Sequence, residues 1–145
     1  MAVLKKIPAL KELELYYLNL GETGTTHIAD ASSLETLSIH WLESDITDQD
    51  LARFANLKHL KKLTVSLRDG SYSSVTDQGL AHLSKLTSLE HLYLSHCPKV
   101  TDAALQHFEG LTSLKYLRLG QARITKKAES LFKAKRPDVT VIFVP

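Results

Sequence analysis

The chain has 145 residues, 43% apolar and 23% charged, with a formal net charge of +2. That length fits one domain of ordinary globular composition. So small a net charge creates no global field to recruit nucleic acid or an acidic membrane. No apolar run approaches the ~20 residues that span a bilayer, and the opening MAVLKKIPAL lacks the long apolar segment and cleavage site of a secretory leader. A single cysteine cannot form an internal disulfide, and these features together point to a cytoplasmic protein without membrane or nucleic-acid partners.

One pattern, L-x-x-L-x-L, recurs along the chain. Its copies are Leu10, Leu13, Leu15; Leu34, Leu37, Ile39; Leu60, Leu63, Val65; Leu89, Leu92, Leu94; Leu114, Leu117, Leu119; and Val139, Ile142, Val144. Successive starts lie 24, 26, 29, 25 and 25 residues apart, a near-constant period that marks a repeat array. The last two apolar residues of each copy are two apart and share one face of a short strand. The segment that follows changes to helical spacing. No such unit can bury its apolar face alone, so neighbours must stack.

In chain order, the first nine residues align Met1, Leu4 and Ile7 with Leu80, Leu83 and Leu86 of a later helix. They read as a half-repeat cap over about 1–9, or as the tail of a unit in a longer array. Repeats then start near 10, 34, 60, 89 and 114. The second leads into ITDQDLARFANL, whose Leu51, Phe54 and Leu57 are helically spaced. The third carries the insertion SLRDGSYSSVTD, where Asp69-Gly70 is a turn signal and the serines suggest an exposed loop. The fourth passes through LSHCPKVTD into VTDAALQHFEGL, and the fifth reads ITKKAESLF, with Lys126 where the others have aspartate. Arg136-Pro137-Asp138 ends the last helix. A closing strand at 139–144 follows, expected to turn Val141 and Phe143 toward the inner face of the array. That apolar edge, Val139–Val144, is a candidate for self-association.

Thr47, Thr76 and Thr101 each precede a helical run, where a threonine can cap free N–H groups. Asp48, Asp77 and Asp102 add negative charge to the first turn, each serving its own helix. The competing reading is a row of catalytic carboxylates. His91, His96 and Cys97 are the closest metal-ligand candidates, but His91 faces the concave side while Cys97 belongs to the turn, and no set of four compact Cys/His ligands exists. Gly-rich phosphate loops, nucleophile elbows and zinc-protease helices are missing. No cofactor, metal or catalytic site is expected.

The unit LTSLEHLYLSHCPKVTDAALQHFEGL, with its L-x-x-L-x-L-x-x-C frame and Val-Thr-Asp before the helix, resembles leucine-rich repeat proteins of the cysteine-containing subclass. The resemblance covers essentially the whole chain. The frame position of Cys97 is taken by Leu18, Leu42, Arg68 and Ala122 in the other units. The subclass is known in ubiquitin-ligase substrate receptors, and similar short arrays occur in bacteria. The resemblance implies an α/β solenoid, a right-handed strand-turn-helix coil with a curved parallel sheet inside and helices outside. It also implies a non-catalytic protein-protein interaction scaffold. The alternative is a C-terminal fragment or assembly subunit of a larger leucine-rich repeat protein.

Such an array would bind its partner on the concave sheet face. The positions flanking the apolar strand residues are Glu12, Glu14, Tyr16; Thr36, Ser38, His40; Lys62, Thr64, Ser66; His91, Tyr93, Ser95; and Tyr116, Arg118, Gly120. Lys62, His91, Tyr93, Tyr116 and Arg118 should cluster as a contact site for a protein with acidic groups. One residue beyond each strand runs a second row, Tyr17, Trp41, Leu67, His96 and Gln121. Its three large apolar members are expected to be partly buried.

Overall fold

A computed structural model describes residues 9–68 and 73–144. Strands β1 (Glu12–Tyr16), β2 (Thr36–Leu42), β3 (Lys62–Leu67), β4 (His91–Leu94), β5 (Tyr116–Gly120) and β6 (Thr140–Val144) form one sheet. Each pairs in parallel with the next in chain order. Between them run α1 (Gly21–Ala29), α2 (Asp48–Phe54), α3 (Asp77–Leu83), a 3-10 helix over Asp102–Phe108, and α4 (Lys126–Lys135). The sheet lines the inside of a curved coil and the helices cover the outside.

The leucine frame builds the core as two rows across the sheet. Leu13, Leu37, Leu63, Leu92, Leu117 and Val141 share one register position, and Leu15, Ile39, Val65, Leu94, Leu119 and Phe143 the next. From β2 to β5 all of these are at most 2% exposed. Phe54, Leu83, Phe108 and Phe132 close the core from the helical side. Each such burial contributes roughly 1.5–3 kcal/mol over leaving the side chain in water.

The threonines cap as their position dictates. Thr47 accepts from Asp50 N–H, Thr76 from Gln78 N–H and Thr101 from Ala103 N–H. The aspartates that follow do more than serve their own helices. Asp48 accepts from the backbone N–H and hydroxyl of Thr76, both at 2.7 Å. Asp77 accepts from Thr101 in the same way at 2.8 and 2.6 Å, and Asp102 from Thr125 at 2.7 and 2.8 Å. Every aspartate therefore fastens the cap of the next unit. Helix α1 begins at Gly21 and offers no such carboxylate. At that junction the buried Asp50 accepts from Thr25 Oγ1, Thr47 N–H, Thr47 Oγ1 and Arg53 Nη1 within 3.0 Å.

Three expectations change. In β6, Val141 pairs with Leu117 and Phe143 with Leu119, so these two face the core. Ile142 and Val144 point outward instead, at 38% and 39% exposure. The preceding turn keeps its geometry, Val139 N–H donating to Arg136 C=O as Leu114 N–H does to Leu111 C=O. The strand then starts one residue sooner, which inverts the alternation. In β3, Leu42 pairs with Leu67 across an irregularity that follows Ile39. Leu67 is thus buried at 3% exposure in the place assigned to Arg68, while Arg68 is exposed beside Glu43 at 3.3 Å. Tyr17 and Trp41 are not tucked away; they are 66% and 43% exposed. Residues 1–8 of the half-repeat read over about 1–9, the Asp69-Gly70 turn and Pro145 lie outside the described residues.

Arg136 stands where earlier units have buried Ala31, Leu57, Leu86 and Leu111. Its guanidinium donates to the carbonyls of Phe108, Glu109, Leu111 and Leu114 at 3.0–3.3 Å and pairs with Asp138 at 2.7 Å. It adds donors to these turn carbonyls, two of which, Phe108 and Leu111, already accept from the backbone N–H of Leu111 and Leu114.

Candidate interaction surface

Because the leucine frame points inward, the alternate strand residues face the concave side in register. Glu12, Thr36, Lys62, His91, Tyr116 and Thr140 form one row, and Glu14, Ser38, Thr64, Tyr93, Arg118 and Ile142 the next. All five sequence candidates come together. Lys62 pairs with His91 across β3 and β4, and His91 meets Tyr116 at 6.1 Å between ring centroids. The Arg118 guanidinium lies over the Tyr93 ring, 5.0 Å from its centroid. Arg118 Nε is buried and has no hydrogen-bond partner among the described residues.

A second cluster lies at the ends of β1 and β2, where the concave positions Tyr16 and His40 meet Tyr17 and Trp41 of the second row. Tyr16 stacks on His40 at 5.0 Å and 21°, and Tyr17 stacks on Trp41 at 4.8 Å and 9°. Tyr16 Oη donates to Glu14 Oε2 at 2.8 Å, and that bond holds the phenol pKa above its usual range. Tyr17, Trp41, His96 and Gln121 all carry positive φ, between 50° and 56°. The expected second row is thus a left-handed turn at the strand end, from which β3 departs through its register shift. The only sequence signal for it was the common distance from each leucine frame.

A third row consists of Lys11, Glu35, Lys61, Glu90 and Lys115, each just after the first leucine of its frame. Their backbones are linked, Glu35 N–H donating to Lys11 C=O and so on to Lys115 N–H on Glu90 C=O. Lys11 and Lys61 both bond Glu35, and Lys115 bonds Glu90 at 2.5 Å. The lysines hold the Glu35 carboxyl down to about 2 and also lower that of Glu90. The sign alternation was present in the sequence but went unread.

Cys97 is fully buried, its thiol 3.4 Å from the Ser95 carbonyl. Burial pushes that thiol up to about 11, away from the thiolate form that reacts or binds metal. Among the described residues no group of three His, Cys, Asp or Glu side chains could hold a metal ion. The aspartates weighed as catalytic are occupied by threonines. No described helix is long and apolar enough to cross a membrane.

No family model matches the sequence, and no curated relative does either. Solved structures do share its shape. A leucine-rich repeat protein from Leptospira interrogans, 19% identical, aligns over 96% of this chain with a TM-score of 0.62. The fold is a leucine-rich repeat solenoid. An internalin from Listeria monocytogenes, 18% identical, aligns over 97% of the chain with a TM-score of 0.51. The chain spans 38% of the first structure's length and 49% of the second's.

Proposed function

We propose that the chain is a non-catalytic protein-interaction scaffold whose concave face binds an acidic partner through Lys62, His91, Tyr93, Tyr116 and Arg118. The solenoid fold supports a binding role in general. Arg118 supports this location. It is half-buried against Tyr93, its Nε lacks an acceptor, and no ion pair joins it to a carboxylate among the described residues. A guanidinium with one buried nitrogen unpartnered and no counter-charge gains from a partner that brings a carboxylate. Tyrosine and arginine are also the side chains that most often dominate binding energy.

The test uses wild-type protein and Tyr93→Ala/Arg118→Ala as paired baits. A partner recovered at least about tenfold better by the wild type, with both baits folded, supports the reading. Equal recovery overturns it.

A second reading rests on β6, an edge strand whose Ile142 and Val144 are exposed. Such an edge suits self-association, or the seating of further repeats in a larger assembly. Light scattering across a concentration series, with Ile142→Lys as the control, distinguishes an assembling edge from an inert one.

A further inference from the structure

Tyr17 and Trp41 share the left-handed turn of their row with His96 and Gln121, at φ 50–56°, so the turn does not require large aromatic rings there. Nor does burial require them, since 66% of Tyr17 and 43% of Trp41 remain exposed. Tyr16 beside them is 47% exposed. The Tyr17 and Trp41 rings cover one face of each other, at 4.8 Å and 9°, and the rest of the pair is open to solvent.

Glu14 touches Tyr16, which stacks on His40 and lies 5.9 Å from Trp41, and Glu12 lies two residues earlier on the same strand face. The middle of the concave surface carries Ser38, His40, Thr64 and Ser66. The cations Lys62 and Arg118 lie beyond it, toward β3–β5. A planar cation fits the first end: a guanidinium stacks on an aromatic face and donates its fork to a carboxylate. A neutral sugar could stack but would leave the charge unused.

We propose that the exposed cluster of Tyr16, Tyr17 and Trp41, with the Glu14 carboxylate held on Tyr16, is a subsite for an arginine side chain of a bound protein segment. The inference rests on the reading that the concave face binds protein, and it adds a polarity. The ligand places a basic residue over β1–β2 and an acidic one over β4–β5. Four strand spacings of about 4.8 Å separate β1 from β5, so the two charges lie about 19 Å apart, or about six residues of extended chain.

Trp41 is the chain's one tryptophan, so its fluorescence reports on the cluster directly. The probes are N-acetyl-arginine methylamide, the uncharged citrulline equivalent and maltohexaose, titrated at low salt and followed also by backbone amide shifts. The arginine probe should saturate, about tenfold more tightly than citrulline, and weaken as salt rises. Glu14→Gln should cost a similar factor. Tyr17→Gly should abolish binding while leaving the thermal midpoint unchanged or higher, which a ring needed for folding would not allow. Equal binding of citrulline, saturation by maltohexaose alone, or no saturation by any probe overturns the proposal. So does a Tyr17→Gly protein that is destabilised yet binds normally. If the probe fails while capture still depends on Tyr93 and Arg118, the scaffold reading stands and only the arginine subsite falls.

Discussion

Asp77 and Glu90 belong to successive repeats, and each accepts hydrogen bonds from the unit that follows its own. Asp77 takes the Thr101 backbone N–H at 2.8 Å and its hydroxyl at 2.6 Å. Glu90 takes the Lys115 ammonium at 2.5 Å, from a side chain that is 64% exposed. One row runs along the turns before the helices and the other along the turns before the strands. Both repeat once per unit, yet their physics differs. The threonine donors are fixed by the backbone and partly shielded, so losing their acceptor strands them. The lysine donors can turn to water at little cost, as exposed ion pairs usually can. Periodicity alone therefore does not rank the two rows; the nature of the donor does.

The comparison breaks most visibly at Gly79. A Cβ there would lie 2.1 Å from Asp48 Oδ1 and 3.0 Å from Asp48 Cα. Gly79→Ala must displace the carboxylate that holds Thr76 and is expected to cost about 3 kcal/mol by urea unfolding. Adding Asp48→Ala should return part of that loss, because the two changes share one contact. A fully additive pair would mean that Asp48 was not the obstacle.

Asp77→Ala tests the same row without a clash. It leaves the Thr101 N–H and hydroxyl without their acceptor, at an expected cost of about 2 kcal/mol. Asp77→Asn keeps one oxygen for the N–H and should lose less. Because the donors are partly buried, both losses should persist at high salt.

The period, the leucine frame and the threonine caps were legible because each is a local pattern repeated several times. The gathering of Lys62, His91, Tyr93, Tyr116 and Arg118 followed from equal register in successive copies. Where register slipped, the reading failed. Leu67 sits in a copy that has lost one residue relative to β2, and Val141 follows a shortened entry into β6; neither slip leaves a mark in composition. The reach of Asp77 to Thr101 was also invisible, since a residue in a helix's first turn has a sufficient local role. Trp41 was placed in the right row and given the wrong environment. Hydrophobicity argued for cover, while a positive φ turns the ring outward. The Lys11–Glu35–Lys61–Glu90–Lys115 row was readable in principle, but single exposed charges are the commonest feature of any surface and draw no notice until they alternate.

The smallest effect is expected at Glu35, and its value lies in its pH and salt dependence. Lys11 and Lys61 hold this carboxyl down to about 2. A depressed carboxyl stabilises the fold above its ordinary value of 4.5, and that contribution is lost as pH falls toward about 2. Glu35→Gln should therefore lower the thermal midpoint slightly at pH 7, and the gap from wild type should close through the acid range. Both lysines are largely exposed, at 67% and 52%, so raising salt to about 0.5 M should close the same gap at neutral pH. The deficit of Asp77→Ala should survive that salt. If Glu35→Gln keeps a deficit as large as that of Asp77→Ala at high salt, donor rigidity is not what separates the two rows, and the exposed ladder holds the coil together as firmly as the buried one.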